Sequence, residues 1–251
     1  MPATVYIDAG EFLETAQELA HYYAGFPWES RIWAASGHRR SPFRTLLLFG
    51  LSPRTRDGLL VDQSQRLFAL CSDAESFVAI MRDQPGAVSE IVRKGQWPFI
   101  QSAAEFLRDY DGIIPRDADQ LQAIKGVGEK IAECVLGYGF GKEALPVDGH
   151  VYRVAVRMFG FAGNFSATEL RGELKRIFQE QRCRFHNLGL AMIDLHEILR
   201  LHGQVVCAKA PKCAVCPISS CAYRSLPFAG ASDTSVSANY WQDWRELLLE
   251  P

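Results

Sequence analysis

Residues 121–136 read LQAIKGVGEKIAECVL, two apolar, helix-like stretches that meet at KGVGEK. Gly126 and Gly128 bracket Val127, and Lys130 follows two positions later. Pro115 and Asp117 or Asp119 can start a short helix that the glycines end, and a second helix is expected from about Glu129. The glycines allow a tight turn and let a flat backbone surface approach a partner closely. The unpaired N-terminal amides of the second helix would point outward with the positive end of its dipole, which suits a phosphate oxygen. A phosphate site built from backbone recognises nucleic acid without reading its sequence. The same spacing also describes an αα-hairpin whose glycines serve only close helix packing.

Working outward, helical periodicity dominates. Segments such as EFLETAQELAHYYAGF, PFRTLLLFGL, AVSEIVRKG, FIQSAAEFLRDY, HVYRVAVRMFGF, TELRGELKRIFQE and HNLGLAMIDLHEILRLHG place apolar residues at i, i+3 and i+4. Ser41-Pro42, Asp111-Gly112, Pro115, Pro146 and Ser166 punctuate the junctions, and no run alternates with a period of two. An all-α fold is expected. The 251 residues, 48% of them hydrophobic, suit one or two domains with real cores. No stretch approaches the roughly 18 apolar residues of a membrane span, and the opening MPATVYIDAGEF lacks the pattern of an export signal, so a cytoplasmic location is expected. After Cys221 a small, polar stretch leads to an amphipathic end with Tyr240, Trp241 and Trp244, expected to pack back on the body.

The net charge of −2 does not by itself mark a nucleic-acid binder. The charge is unevenly placed, however. Arg39, Arg40, Arg44, Arg54, Arg56 and Arg66 meet only Asp57 and Asp62, and the stretch from Arg200 to Arg224 holds basic but no acidic residues. Either these are solvated faces or they flank a polyanion. Of seven cysteines, Cys207, Cys213, Cys216 and Cys221 crowd into fifteen residues, a pattern of metal ligation more than of a disulfide framework. Zinc and an iron–sulfur cluster both remain open on spacing alone. Cys71, Cys134 and Cys183 lie in apolar-patterned segments and read as buried thiols.

LQAIKGVGEKIA followed by LPVDGHVYRV resembles the helix-hairpin-helix DNA glycosylase superfamily, in its endonuclease III and adenine glycosylase branches. The glycines, Lys130 and Asp148 of the family pattern are kept, while Lys125 stands where the family usually has proline. The resemblance implies a bifunctional glycosylase/lyase. Lys130 would attack C1′ of a nucleotide whose base has been swung out of the duplex, and Asp148 would stabilise the positive charge that builds on the sugar. Gly126, Val127, Gly128 and Lys125 would hold the DNA backbone. The cysteine loop, C-x5-C-x2-C-x4-C, resembles the family's [4Fe–4S] loop, though each outer interval is one residue shorter. A structural, DNA-positioning cluster follows from the resemblance, with zinc the lesser alternative and Lys209 and Lys212 reaching toward the DNA backbone.

The segment that inserts into the duplex departs most. The family's LSAQATD becomes LSPRTRD, which puts Arg54 at the glutamine position. Arginine can fill the gap and read the orphaned base with several donors, or bind phosphate. The opposite wedge is expected near VRKGQWPFIQ, with Gln96 and Trp97 as candidates, and the departures put oxidised pyrimidines as substrates in doubt. The expected architecture is two helical domains flanking a DNA-binding cleft. A six-helix domain would span 42–145, a discontinuous cluster domain would join 1–41 to 146–224, and a tail would run over 225–251. The expected partner is double-stranded DNA with a damaged base or abasic site, bound by a monomer that does not engage a membrane. The rivals are a monofunctional glycosylase of altered specificity and a non-catalytic lesion-binding protein.

Overall fold

A computed structural model of the protein describes residues 7–24, 41–159 and 166–225. Arg39, Arg40 and the tail aromatics lie outside the described residues. Every regular element among the described residues is helical, as the periodicity predicts. The chain divides into two compact units, one spanning 29–144 and the other formed by the flanking segments 1–28 and 145–251. The first helix, α1 (Ala9–Tyr22), belongs to the flanking unit.

The central unit runs through α2 (Pro42–Leu51), α3 (Asp57–Leu70), α4 (Ala74–Asp83), α5 (Pro85–Ser89), α6 (Trp97–Asp109), α7 (Ala118–Gln122) and α8 (Glu129–Cys134). The last of these widens into a π-helical turn over Val135–Gly139. Helix α2 is the core strut. Ser41 caps it, its Oγ accepting from Arg44 N at 3.3 Å, with Pro42 at the first helical position. From there Phe43 and the run Leu46–Leu51 are buried on all sides.

In the flanking unit, α1 packs with α9 (Gly149–Met158), α10 (Ala167–Glu180), α11 (Arg182–Asn187) and α12 (Met192–Val205). Their apolar faces share one core, in which Phe178 stacks on Phe185 at 5.0 Å and Phe12 meets Phe185 edge-on at 6.1 Å. Ile7 N donates to Glu173 Oε1 at 3.0 Å, which fastens the entry to α1 onto α10. The paired Arg176 guanidinium, 2.7 Å from Glu173, holds that carboxyl below the usual range.

Three local expectations change. The segment HNLGLAMIDLHEILRLHG is not one helix, because α11 stops at Asn187 and Gly189 turns the chain at φ +71°. Helix α12 then restarts with Ala191 N donating to Asp194 Oδ2 at 2.8 Å. The AVSEIVRKG segment supplies only the short α5 and a turn, since Pro85 starts a helix that ends within five residues. Cys183 is exposed, unlike the buried Cys71 and Cys134, because it lies on the outer side of the short α11. No described helix is long and apolar enough to cross a membrane.

Helix α4 begins with a capping box in which Asp73 Oδ1 accepts from Ser76 N at 2.8 Å and Ser76 Oγ accepts from Asp73 N at 3.2 Å. The hydrogen bond from Ser76 N lowers the Asp73 carboxyl below its usual range. A carboxyl lowered by folding contributes stability that is complete above the ordinary aspartate range and is lost as pH falls through the lowered value. Asp73→Ala should therefore cost about 1 kcal/mol near pH 7. Urea unfolding should show the gap from the parent protein closing below about pH 4.

Candidate active site and cysteine site

The hairpin is built from the inside. Leu121, Ile124, Val127 and Ile131 are buried, which presses α7, the turn and α8 onto the central unit's core. Asp117 caps α7, its Oδ1 accepting from Asp119 N at 3.0 Å and Gln120 N at 3.1 Å. Gly126 takes φ +93° at the turn, and a Cβ there would meet Phe99 Cβ at 3.2 Å. The protein itself thus requires glycine at this position. Gly128 is different: its φ is −93°, and a Cβ there would find nothing within 4 Å. Its missing side chain leaves the backbone face open among the described residues.

Among the described residues, the amides of Gly126, Gly128 and Lys130 have no acceptor within the protein, and both glycines are exposed. Lys125 is exposed too, its backbone N donating to Ser102 Oγ at 2.9 Å. Val127 departs from the expected contact role. Its side chain is buried and its amide donates to Ile124 O at 2.9 Å, so it anchors the turn from beneath.

Lys130 follows on the first turn of α8, half-buried, with Nζ 4.7 Å from the centroid of the Phe49 ring. Phe49 in turn stacks on Tyr138 at 5.5 Å and 15°. The ring attracts the ammonium through its quadrupole and restricts a long, flexible side chain to one region. Neither aromatic residue was singled out in the sequence.

Asp148 belongs to the flanking unit, as the N-cap of α9. Its Oδ1 accepts from His150 N and Val151 N, each at 2.9 Å, which fixes the orientation of the carboxylate.

The two wedge candidates part company. Gln96 is buried and fully used within the central unit. Its Nε2 donates to Leu51 O at 2.7 Å, its Oε1 accepts from Arg93 N at 2.7 Å, and it pairs amide to amide with buried Gln63. A side chain with this many internal bonds cannot also enter a duplex, and the expectation for Gln96 is corrected to an internal brace. Trp97 is half-buried at the first position of α6, and Arg54 is exposed.

In the flanking unit, α9 and the cysteine loop are joined by guanidinium groups. Arg153 Nε donates to Cys207 O at 3.0 Å and its Nη2 to Gly203 O at 2.6 Å. Arg157 donates to Ala208 O at 2.5 Å, to Lys209 O at 3.0 Å and toward Cys207 Sγ at 3.5 Å. Tyr22 at the end of α1 donates to Val215 O at 3.0 Å. Buried His202 lies between Tyr23 Oη, 2.9 Å from Nδ1, and Cys216 Sγ, 3.6 Å from Nε2. Burial lowers the His202 imidazole to about 4, so it is neutral at ordinary pH. Lys209 is exposed, whereas Lys212 is half-buried on the cavity wall, and its burial lowers its pKa.

Cys207, Cys213, Cys216 and Cys221 line one cavity with Arg157, Met158, His202, Lys212 and Ile218, and no carboxylate takes part in that lining. Among the described residues, none of the four forms a disulfide. One zinc ion would need its thiolates about 2.3 Å away, hence about 3.8 Å from one another. Among the described residues, no three His, Cys, Asp or Glu side chains gather closely enough for a single ion. The four thiols share one cavity with cationic donors behind them, a lining that suits thiolate ligation of a metal centre.

The family description "Helix-hairpin-helix motif" matches residues 109–138. Endonuclease III of Buchnera aphidicola subsp. Baizongia pistaciae is 29% identical over 187 residues, covering 72% of this chain and 81% of that protein. Endonuclease III of Rickettsia conorii is 30% identical over 151 residues, covering 54% of this chain and 67% of the relative. The solved structure of a trapped endonuclease III–DNA covalent intermediate, an estranged-adenine complex, superposes with a TM-score of 0.69 at 25% identity. It covers 87% of this chain and 97% of its own.

The two hairpin glycines should separate in experiment. Gly126→Ala should lose about 1–2 kcal/mol of stability, because it forces a left-handed backbone on an L-residue. Gly128→Ala should keep its unfolding free energy within about 1 kcal/mol of the parent's, yet bind undamaged duplex DNA more weakly in a low-salt titration.

Proposed function

The chain belongs to the endonuclease III family of helix-hairpin-helix DNA glycosylases, and on that premise we propose how its own residues carry the reaction. It is a base-excision-repair DNA glycosylase and AP lyase. The observation that carries the assignment of roles is the seating of Lys130 Nζ on the Phe49 ring, two residues beyond the open backbone of Gly128. The exposed amides of the hairpin take a phosphate of the DNA backbone, and the Lys130 amine is thereby brought to the sugar of the nucleotide held there.

The Lys130 ammonium first gives up a proton to water; its amine then attacks C1′ of the extruded nucleotide as the N-glycosidic bond breaks, and the departing base carries the bonding electron pair away. Loss of the amine proton and opening of the sugar give a Schiff base between Nζ and C1′. β-Elimination then expels the 3′ phosphate, and water hydrolyses the imine to free Lys130. Asp148 stabilises the positive charge that develops on the sugar, its carboxylate already oriented by the two amides it caps.

Cys207, Cys213, Cys216 and Cys221 hold a [4Fe–4S] cluster in this reading. When bound, it supplies a rigid cross-link for the loop that carries Lys209, and hydrolysis needs no redox step from it. The protein works in the compartment that holds the DNA. Arg153 and Arg157 tie the loop to α9, the same helix that Asp148 caps, so the loop and the carboxylate share one support.

Borohydride trapping on duplexes each carrying one lesion (uracil, thymine glycol, 8-oxoguanine, an alkylated purine or an abasic site) tests the catalytic pair. The parent protein should form a covalent complex with at least one base lesion, and Lys130→Gln with none. Asp148→Asn keeps a capping oxygen and should fold normally while losing roughly a hundredfold or more in base release. Absence of trapping on every duplex would refute the lyase role of Lys130. For the cofactor, Cys216→Ser should lower bound iron and acid-labile sulfide together. Zinc without sulfide in the parent protein would refute the cluster.

A further inference from the structure

Arg54 is one of only two non-glycine residues, among those described, with a positive φ, at 55°. A left-handed backbone is unfavourable for an L-residue with a side chain, so the surroundings must impose it. The surroundings here are chiefly one side chain, Arg93. Its Nη1 donates to Arg54 O at 3.2 Å, and its Nη2 donates to Pro53 O at 3.3 Å and to Thr55 Oγ1. Thr55 Oγ1 donates onward to Leu51 O at 2.7 Å, which also accepts from Gln96 Nε2. The acceptors of the loop thus turn inward onto one planar fork, a task suited to a guanidinium. The side chain of Arg54 stays exposed and, among the described residues, has no partner in the protein.

We propose that Arg93 is a positioning residue that holds the 52–56 loop in its left-handed turn, so that Arg54 stands ready to occupy the gap left by an extruded nucleotide. The proposal rests on the base-flipping reading above. It also joins two segments that look independent in sequence, because the second segment braces the first. The competing role for an exposed arginine near DNA is a direct phosphate contact, and the two roles differ in what they predict. A positioning fork needs the guanidinium geometry and acts only through Arg54. A phosphate contact needs only the charge and acts independently.

The test uses the intact, metal-loaded protein and a duplex with one abasic site opposite 2-aminopurine. Arg54→Ala, Arg93→Ala, Arg93→Lys and the double alanine variant are compared in strand nicking, in 2-aminopurine fluorescence and in the salt dependence of binding, with thermal unfolding as the control for folding. Each single alanine variant should lose about tenfold in kcat/KM, the equivalent of one charge-assisted hydrogen bond, with a matching loss of the fluorescence change. The double variant should be no worse than the worse single one. Arg93→Lys should behave as Arg93→Ala, and the salt slope should stay at the parent value.

Multiplicative losses, a parent-like Arg93→Lys, or a salt slope reduced by about one would overturn the proposal in favour of a phosphate contact. So would loss in Arg93→Ala without loss in Arg54→Ala, or no loss in either single variant. Failure of the base-excision reading itself is seen elsewhere, as absence of covalent trapping by the parent protein on any lesion.

Discussion

The turn at Gly126 is the constraint on which the central unit's chemistry depends. A left-handed backbone at φ +93°, pressed to within 3.2 Å of Phe99 for any added Cβ, reverses the chain between α7 and α8. Because Ile124 and Val127 are buried beneath it, the reversal is held rather than merely permitted. Only then do the amides of Gly128 and Lys130 face outward, and only then does the first turn of α8 place Lys130 over Phe49. A turn of another shape would keep both helices and lose the geometry.

The flanking unit has its own shared support in α9. The helix starts at Asp148, whose carboxylate is fixed by capping, and one face further along carries Arg153 and Arg157 into the carbonyls of residues 203–209. The guanidinium groups satisfy backbone acceptors of a loop too irregular to satisfy itself. They also put positive charge behind four cysteines whose ligating forms are anionic. The shorter outer intervals of the cysteine loop leave all four thiols on one cavity.

The loops around Arg54 and Gln96 show a different economy. Gln63 and Gln96 form a buried amide pair, and Arg93 extends that polar core to the surface. Buried amides must be paired or they destabilise the fold, and here the pairing fixes a loop whose Arg54 side chain is exposed and, among the described residues, has no partner. Strain and exposure at one residue, with rigid support behind it, is the pattern of a site held ready for a ligand.

The sequence by itself determined what depends on local periodicity and local chemistry: an all-helical chain, the hairpin about Gly126 and Gly128, an aspartate at the start of its first helix, and the cysteine quartet. Each rests on residues within a few positions of one another, so spacing carries the information. It did not separate Gly126 from Gly128, since one is required by a contact with Phe99 from a distant helix and the other by no contact among the described residues. Nor did it set apart the aromatic seat of Lys130, the inward turn of Gln96 or the fork of Arg93. Those join residues dozens of positions apart, and a side chain's partners there depend on which way its helix faces. Whether an arginine or glutamine points to solvent or into the core is settled by packing, and only the tertiary structure decides it.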